Sequence, residues 1–201
     1  MITNQKGAPP ETRYVYIDGA YLRERLAFYS TRYFNGDPIQ LDYQQFFRDF
    51  EKKFYYDCLP PRRKGEESDA FKAREEQVKQ SFDHLKELSG FHVYEGKLTG
   101  DGEKARQKGV DIQLAVHMLT HVSRGTIRRV TLLAGDADFQ PLADAIVGEG
   151  GYLTLWADKR SAATSLRHAV DRGGPGCLNR FSASISGTSA RVKLPCGLAA
   201  G

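Results

Sequence analysis

Residues 128–142 read RRVTLLAGDADFQPL, and this stretch decides the fold. The aliphatic run from Arg128 to Ala134 has the length and β-branched content of a strand buried on both faces. It stops at Gly135 and runs into Asp136-Ala137-Asp138, and Pro141 suits the first turn of a helix over 141–147. Working outward, Gly150 precedes a strand over Tyr152–Ala157, and Ser161 caps a helix to about Asp171. On the other side, residues 110–122 carry a 3.6-residue apolar period. Near the start, Tyr14–Ile17 is a short strand ending at Asp18-Gly19, followed by a helix over 20–29. Asp42 is expected to cap a helix carrying Phe46, Phe47, Phe50 and Phe54, with Leu41 as its staple. The Pro60–Gly65 segment is a basic loop. A helix capped by Ser68 or Asp69 shows Phe71, Val78, Phe82, Leu85 and Leu88 on one face. Phe91–Tyr94 is another strand, and a Gly- and Lys-rich loop spans Gly96–Gly109. Strands alternating with helices imply an α/β fold, Rossmann-like, with a mainly parallel central sheet and helices on both faces.

The chain has 201 residues, 40% hydrophobic and 27% charged, which suits one domain with a real core. Residues 1–12 read as a flexible leader, 13–172 as the domain, and 173–201 as a Gly/Ser-rich tail with an edge strand expected near Ala190–Leu194. No apolar run approaches the roughly 20 residues a membrane span needs, and no secretion signal opens the sequence. Three cysteines without a Cys-x-x-Cys pair argue against a disulfide scaffold or structural zinc. A cytoplasmic protein is the expectation. The net charge of +4 permits a polyanionic partner without demanding one. Neither G-x-x-x-x-G-K-[ST] nor G-x-G-x-x-G is present, nor is Gly-x-Ser-x-Gly, so nucleotide-cofactor and acyl-transfer roles lack support.

Three places put carboxylates where a core would not. Strands end in Asp18 and in Asp136/Asp138, the end where α/β sheets bind ligands; Asp there also serves as a turn former or cap. On the 110–122 helix, with Val110 at zero, Leu114, Met118, Ala115 and Leu119 span about 40° to about 180°, and Asp111 falls near 100°. An unpaired carboxylate in an apolar arc is costly. Carboxylates gathered in one crevice raise each other's pKa or recruit a cation. All-oxygen ligands favour a hard ion, Mg²⁺ or Mn²⁺, whose natural chemistry is phosphodiester hydrolysis.

The runs Tyr16-Ile17-Asp18-Gly19-Ala20-Tyr21-Leu22, Lys108-Gly109-Val110-Asp111-Ile112-Gln113-Leu114-Ala115 and Leu133-Ala134-Gly135-Asp136-Ala137-Asp138-Phe139-Gln140-Pro141-Leu142 together resemble the NYN domain family, the LabA-like branch of the PIN-like nucleases. The resemblance runs from about Tyr14 to Asp171. It implies a PIN-type sheet and a divalent-metal ribonuclease site, with Asp18, Asp111, Asp136 and Asp138 as catalytic, metal-binding acids and Gly135 allowing the tight turn that presents the last two. Two positions depart from the family pattern: Tyr21 stands where Asn is frequent, and His117 where Asp is frequent. Tyr21 either packs against the sheet or stacks a nucleobase.

Lys97, Lys104, Arg106, Lys108, Lys159 and Arg160 flank the acids and, as a group, would offset repulsion of a phosphate backbone; Arg62, Arg63 and Lys64 would extend that track. The resulting expectation is an endoribonuclease acting on single-stranded or looped RNA. The alternatives are an RNA-binding NYN module with weakened catalysis, as Tyr21 and His117 suggest, and another Mg²⁺-dependent phosphoryl-transfer enzyme. The aromatic-rich segment after Asp42 suggests a homodimer.

Overall fold

The computed structural model describes residues 12–99, 106–158, 160–174, 186–187 and 190–191. The leader up to residue 11, most of the tail, Lys104 and Lys159 lie outside the described residues. Five parallel strands of five or six residues form the sheet: β1 (Tyr14–Asp18), β2 (Lys52–Asp57), β3 (Phe91–Glu95), β6 (Arg129–Leu133) and β7 (Tyr152–Trp156); the short β8 (Arg172–Gly174) adds an edge. Their order is β3-β2-β1-β6-β7-β8. A short hairpin, β4 (Lys97–Thr99) with β5 (Arg106–Lys108), occupies the ends of the segment expected to be loop. Ala190–Arg191 pairs with Ser186–Gly187 in a separate two-residue ladder and not with the main sheet.

Alternation along β1 explains the two layers. Val15 and Ile17 pack with α1 (Gly19–Tyr33), the four-residue α2 (Tyr43–Phe46) and α3 (Ser68–Glu87), whereas Tyr14 and Tyr16 pack beneath α4 (Val110–Ser123), α5 (Gln140–Gly148) and α6 (Thr164–His168). Both faces are therefore covered, as a parallel sheet requires.

One expected helix is corrected. Asp42 does cap a helix, its carboxylate accepting from the Gln45 N–H at 2.9 Å, but that helix ends at Phe46. Phe50 lies beyond it, and Phe54 belongs to β2. Phe46 and Phe47 are fully buried, so the aromatic segment that suggested a homodimer is consumed by the protein's own core. Two caps also differ: Glu67 precedes α3 without a side-chain bond, and α6 opens after Ala163, not Ser161. Among the described residues no helix is long and apolar enough to cross a membrane.

The chain builds β1, β2 and β3 outward in one direction, then returns across β1 to lay β6 on its other side. The gap between the carboxyl ends of β1 and β6 is thus a topological switch point, where such sheets hold ligands.

Candidate functional site

Asp18 is the last residue of β1 and the cap of α1: its Oδ1 accepts the Tyr21 N–H at 3.0 Å. Asp136 follows β6 and repeats the device, its Oδ1 accepting the Asp138 N–H at 3.0 Å. Asp111 stands in the first turn of α4, which opens from Gly109 in the left-handed region (φ 83°) that favours glycine. Leu114, Met118 and Val122 enter the core, while Asp111 falls on the exposed flank. Its place in the apolar arc reflects a helix edge turned toward a cleft.

These elements converge. One cavity of about 390 Å³ is lined by Asp18, Asp111, Asp136 and Asp138, together with Glu24, Arg25, Tyr21, Gly135 and Ser161. Burial raises the Asp18 carboxyl from 3.8 to about 6, against the Tyr21 N–H, with the charges of Asp111 and Asp57 adding to the rise. Asp111 is raised by burial and by Asp136 and Asp138. Burial is the larger cause for both, and the neighbouring carboxylates add to it. The cation in the wall, Arg25, is engaged by Glu24 and faces Asp158 at 3.9 Å.

Tyr21 lines the cleft as packing. Its hydroxyl accepts the Asp158 N–H at 2.9 Å and shares a hydrogen bond with Ser161 Oγ at 2.8 Å. A Cβ on Gly135 would lie 2.3 Å from the Tyr21 ring. Gly135 has no left-handed φ, so its glycine identity is set by close approach of that ring and not by the turn expected from sequence. His117 points elsewhere, bonding the Tyr56 hydroxyl through Nδ1 at 3.0 Å, and is not part of the cleft wall.

Lys97 is exposed on β4, and the hairpin register sets Lys108 opposite Lys97 and Arg106 opposite Thr99. Arg62 is turned onto the Glu66 carbonyl at 2.9 Å, and Arg160 donates its N–H to Asp158. Sequence reasoning missed Glu24, Arg25 and Ser161 as cleft residues. The first two were accessible, because residues 20, 21, 24 and 25 share one helical face. It also missed Asp57, a fully buried carboxylate at the end of β2 that pairs with Arg23 and accepts from the Cys58 N–H and the Tyr55 hydroxyl.

The donor set fits a hard dication: among the described residues the wall offers carboxylate and hydroxyl oxygens and no thiol or imidazole. Among the described residues no group of three or more acids, histidines or cysteines is placed so that it could hold a metal ion together. Mg²⁺ needs none, since it keeps several waters and binds through one or two carboxylates.

Comparison with known proteins bears on the family and the fold. The sequence profile of the family described as NYN domain matches residues 14–173. A crystal structure of a protein of unknown function from Vibrio parahaemolyticus RIMD 2210633 has the same fold, with a TM-score of 0.55 at 14% identity over 82% of this chain and 93% of that one. Among curated proteins, none matches.

Proposed function

The chain belongs to the NYN domain family, and on that premise we propose that it is a metal-dependent endoribonuclease of the LabA-like branch, hydrolysing RNA phosphodiester bonds. The observation that carries this reading is the convergence of Asp18, Asp111, Asp136 and Asp138, from three separate segments, on one cleft at the switch point of the sheet. Asp18, Asp111 and Asp136 would hold Mg²⁺ or Mn²⁺, with Asp138 beside them in the turn. Such an ion, when bound, polarises a phosphoryl oxygen and lowers the pKa of a bound water. The protein's own contribution is orientation. Asp18 and Asp136 are each fixed through one oxygen by a backbone N–H, and the Asp136 turn is clamped by the Tyr21 ring on Gly135 and by the Ala163 N–H on the Gly135 carbonyl at 3.0 Å.

The deciding experiment is digestion of an unstructured RNA in Mg²⁺, Mn²⁺ and EDTA, beside Asp136→Asn. Cleavage by the wild type that needs metal and disappears in the variant is expected; equal cleavage by both refutes the reading. A second reading, an RNA-binding module with weakened catalysis, is favoured by Tyr21, whose only polar atom is already committed to Ser161 and Asp158. It predicts salt-sensitive RNA binding without product in any metal. A third, phosphoryl transfer on a small substrate, would show as turnover of a phosphomonoester.

A further inference from the structure

β3 is an edge strand, and among the described residues no helix packs chiefly on β3 from the face it shares with α4. α4 packs over β1 and β2, while α3 packs beneath β3 on the opposite side. Across this face the register lines up aromatic rings. Tyr16 pairs with Phe54 and Phe54 with His92. Their rings form a continuous stack, with centroids 4.9 Å and then 5.1 Å apart and each pair tilted by 20°. Two residues along, Tyr56 pairs with Tyr94 and stacks on it at 4.9 Å and 11°. Both stacks run outward and stop at β3.

The last ring of each stack therefore has one face against its inner neighbour and one face outward. His92 is exposed and Tyr94 half-buried. The His117 ring lies 4.6 Å from Tyr94 and 5.8 Å from Tyr56, a triangle that puts it over the tips of both rings and leaves the outer face of Tyr94 free of it. Among the described residues no strand pairs with the far side of β3.

We propose that the outward ring faces of His92 and Tyr94 form a shelf on which two successive unpaired bases of a single-stranded RNA stack. Single-stranded RNA as the occupant rests on the nuclease reading above. The spacing selects the conformation. Residues i and i+2 of a strand stand about 6–7 Å apart, whereas bases in a duplex lie about 3.4 Å apart along each strand. Two neighbouring bases can continue both stacks only when the strand is extended and its bases are splayed, which a duplex forbids. Charge agrees: exposed Lys52 sits 5.8 Å above the Tyr14 ring, and its charge, with that of Arg124, reaches His121 beside the shelf. Glu95, at the far end of β3, is neutralised by Lys86 at 2.8 Å. Position agrees as well. His117 is six residues after Asp111 on α4, about 9 Å along the axis, so the shelf begins a nucleotide or two from the acidic cleft and leads toward Lys52.

The test uses a fluorescein-labelled ten-nucleotide unstructured RNA and its duplex, in EDTA so that binding is read without cleavage. His92→Ala and Tyr94→Ala should each weaken single-strand binding about fivefold or more, the effect of one stacked base. His92→Phe, which keeps a ring, should bind within about twofold of wild type. An RNA carrying 2-aminopurine should be quenched by the wild type and less by His92→Ala, a signal a folding defect alone would not give. In Mn²⁺, His92→Ala should raise KM with kcat retained. Equal binding by wild type and both alanine variants, or equal affinity for duplex, overturns the shelf. So does a wild-type protein that binds no RNA and runs as a dimer through this edge. Cleavage by the wild type with unchanged Kd in both alanine variants sinks the shelf and leaves the nuclease; binding that depends on His92, without cleavage in any metal, sinks the nuclease and leaves the shelf.

Discussion

Replacing Gly135 by Ala tests whether Tyr21 is a structural clamp on the catalytic turn. The new Cβ would stand 2.3 Å from Cε2 of Tyr21, 2.9 Å from Cζ and 3.0 Å from Cδ2, where carbons prefer about 3.5–4.0 Å. Neither partner can step aside. The Tyr21 hydroxyl is tied to Ser161 and to the Asp158 N–H, and its own N–H is tied to Asp18; the Gly135 carbonyl holds the Ala163 N–H. Overpacking of this kind typically costs about 1–3 kcal/mol, and a clash with three ring atoms argues for the upper end. The backbone at Gly135 is not left-handed, so once the ring is gone the same change should be neutral or gain a few tenths of a kcal/mol from reduced unfolded-chain entropy. Urea unfolding of wild type, Gly135→Ala, Tyr21→Ala and the double variant closes a cycle with an expected coupling of about 3 kcal/mol. RNA cleavage at a temperature where all four are folded reads the displacement of Asp136. An equal penalty for Gly135→Ala in both backgrounds would refute the clamp.

Asp57→Ala should destabilise by about 2–3 kcal/mol in urea unfolding, below the full range for a broken buried pair because Arg23 is 37% exposed while Asp57 is fully covered; a loss under about 0.5 kcal/mol would contradict the pairing. His117 and His121 are held below their ordinary 6.5 by burial, and they share hydrogen bonds through Nδ1 with the hydroxyls of Tyr56 and Tyr16, whose pKa values are raised by burial. Because these histidines are neutral when folded, the unfolded chain takes up protons first, and their contribution is lost as pH falls from 6.5 through the folded values; His121→Gln should flatten that part of the curve relative to wild type. Mg²⁺ or Mn²⁺ at a hundred times Kd should stabilise the wild type by about 2.7 kcal/mol, a rise of several degrees in Tm. Asp111→Asn should reduce the shift, and no shift in the wild type would count against a metal site.

What the sequence reveals about the fold depends on whether a segment's environment is simple. β1, β6 and β7 are legible because strands buried on both faces must be continuously apolar. β2 is equally buried but hidden. Lys53 interrupts it, and only the structure shows why a lysine can lie there: its ammonium reaches the Ser89 carbonyl at 3.2 Å and the Phe91 ring at 5.7 Å, keeping the charge solvated by the protein. Phe46, Phe47, Phe50 and Phe54 meanwhile fall at helical spacing by accident, since three of them pack around Trp156 and the fourth belongs to β2. The four aspartates of the cleft were legible because each sits at a strand end or helix start, a place fixed by local pattern. Ser161 was not, because its place at the site depends on a contact made 140 residues away, and the buried Asp57 beside the cleft was missed with the hidden strand that carries it.

The same distinction bears on the two departures from the family pattern. A change that removed a ligand and left a hole would argue for a decayed site, since an emptied polar position in a cleft costs stability and gains nothing. Neither change does this. Tyr21 occupies its place with a ring fitted to Gly135 and a hydroxyl satisfied by two partners. His117 has moved its polar atom to the aromatic face, where it bonds Tyr56 and sits over Tyr94. Tyr21 thereby ties the cleft to the Ser161 turn, while His117 lies outside the cleft wall on the aromatic face. Fitted replacements of this kind leave Asp18, Asp111, Asp136 and Asp138 lining one cleft, so the two departures do not by themselves argue for a decayed site.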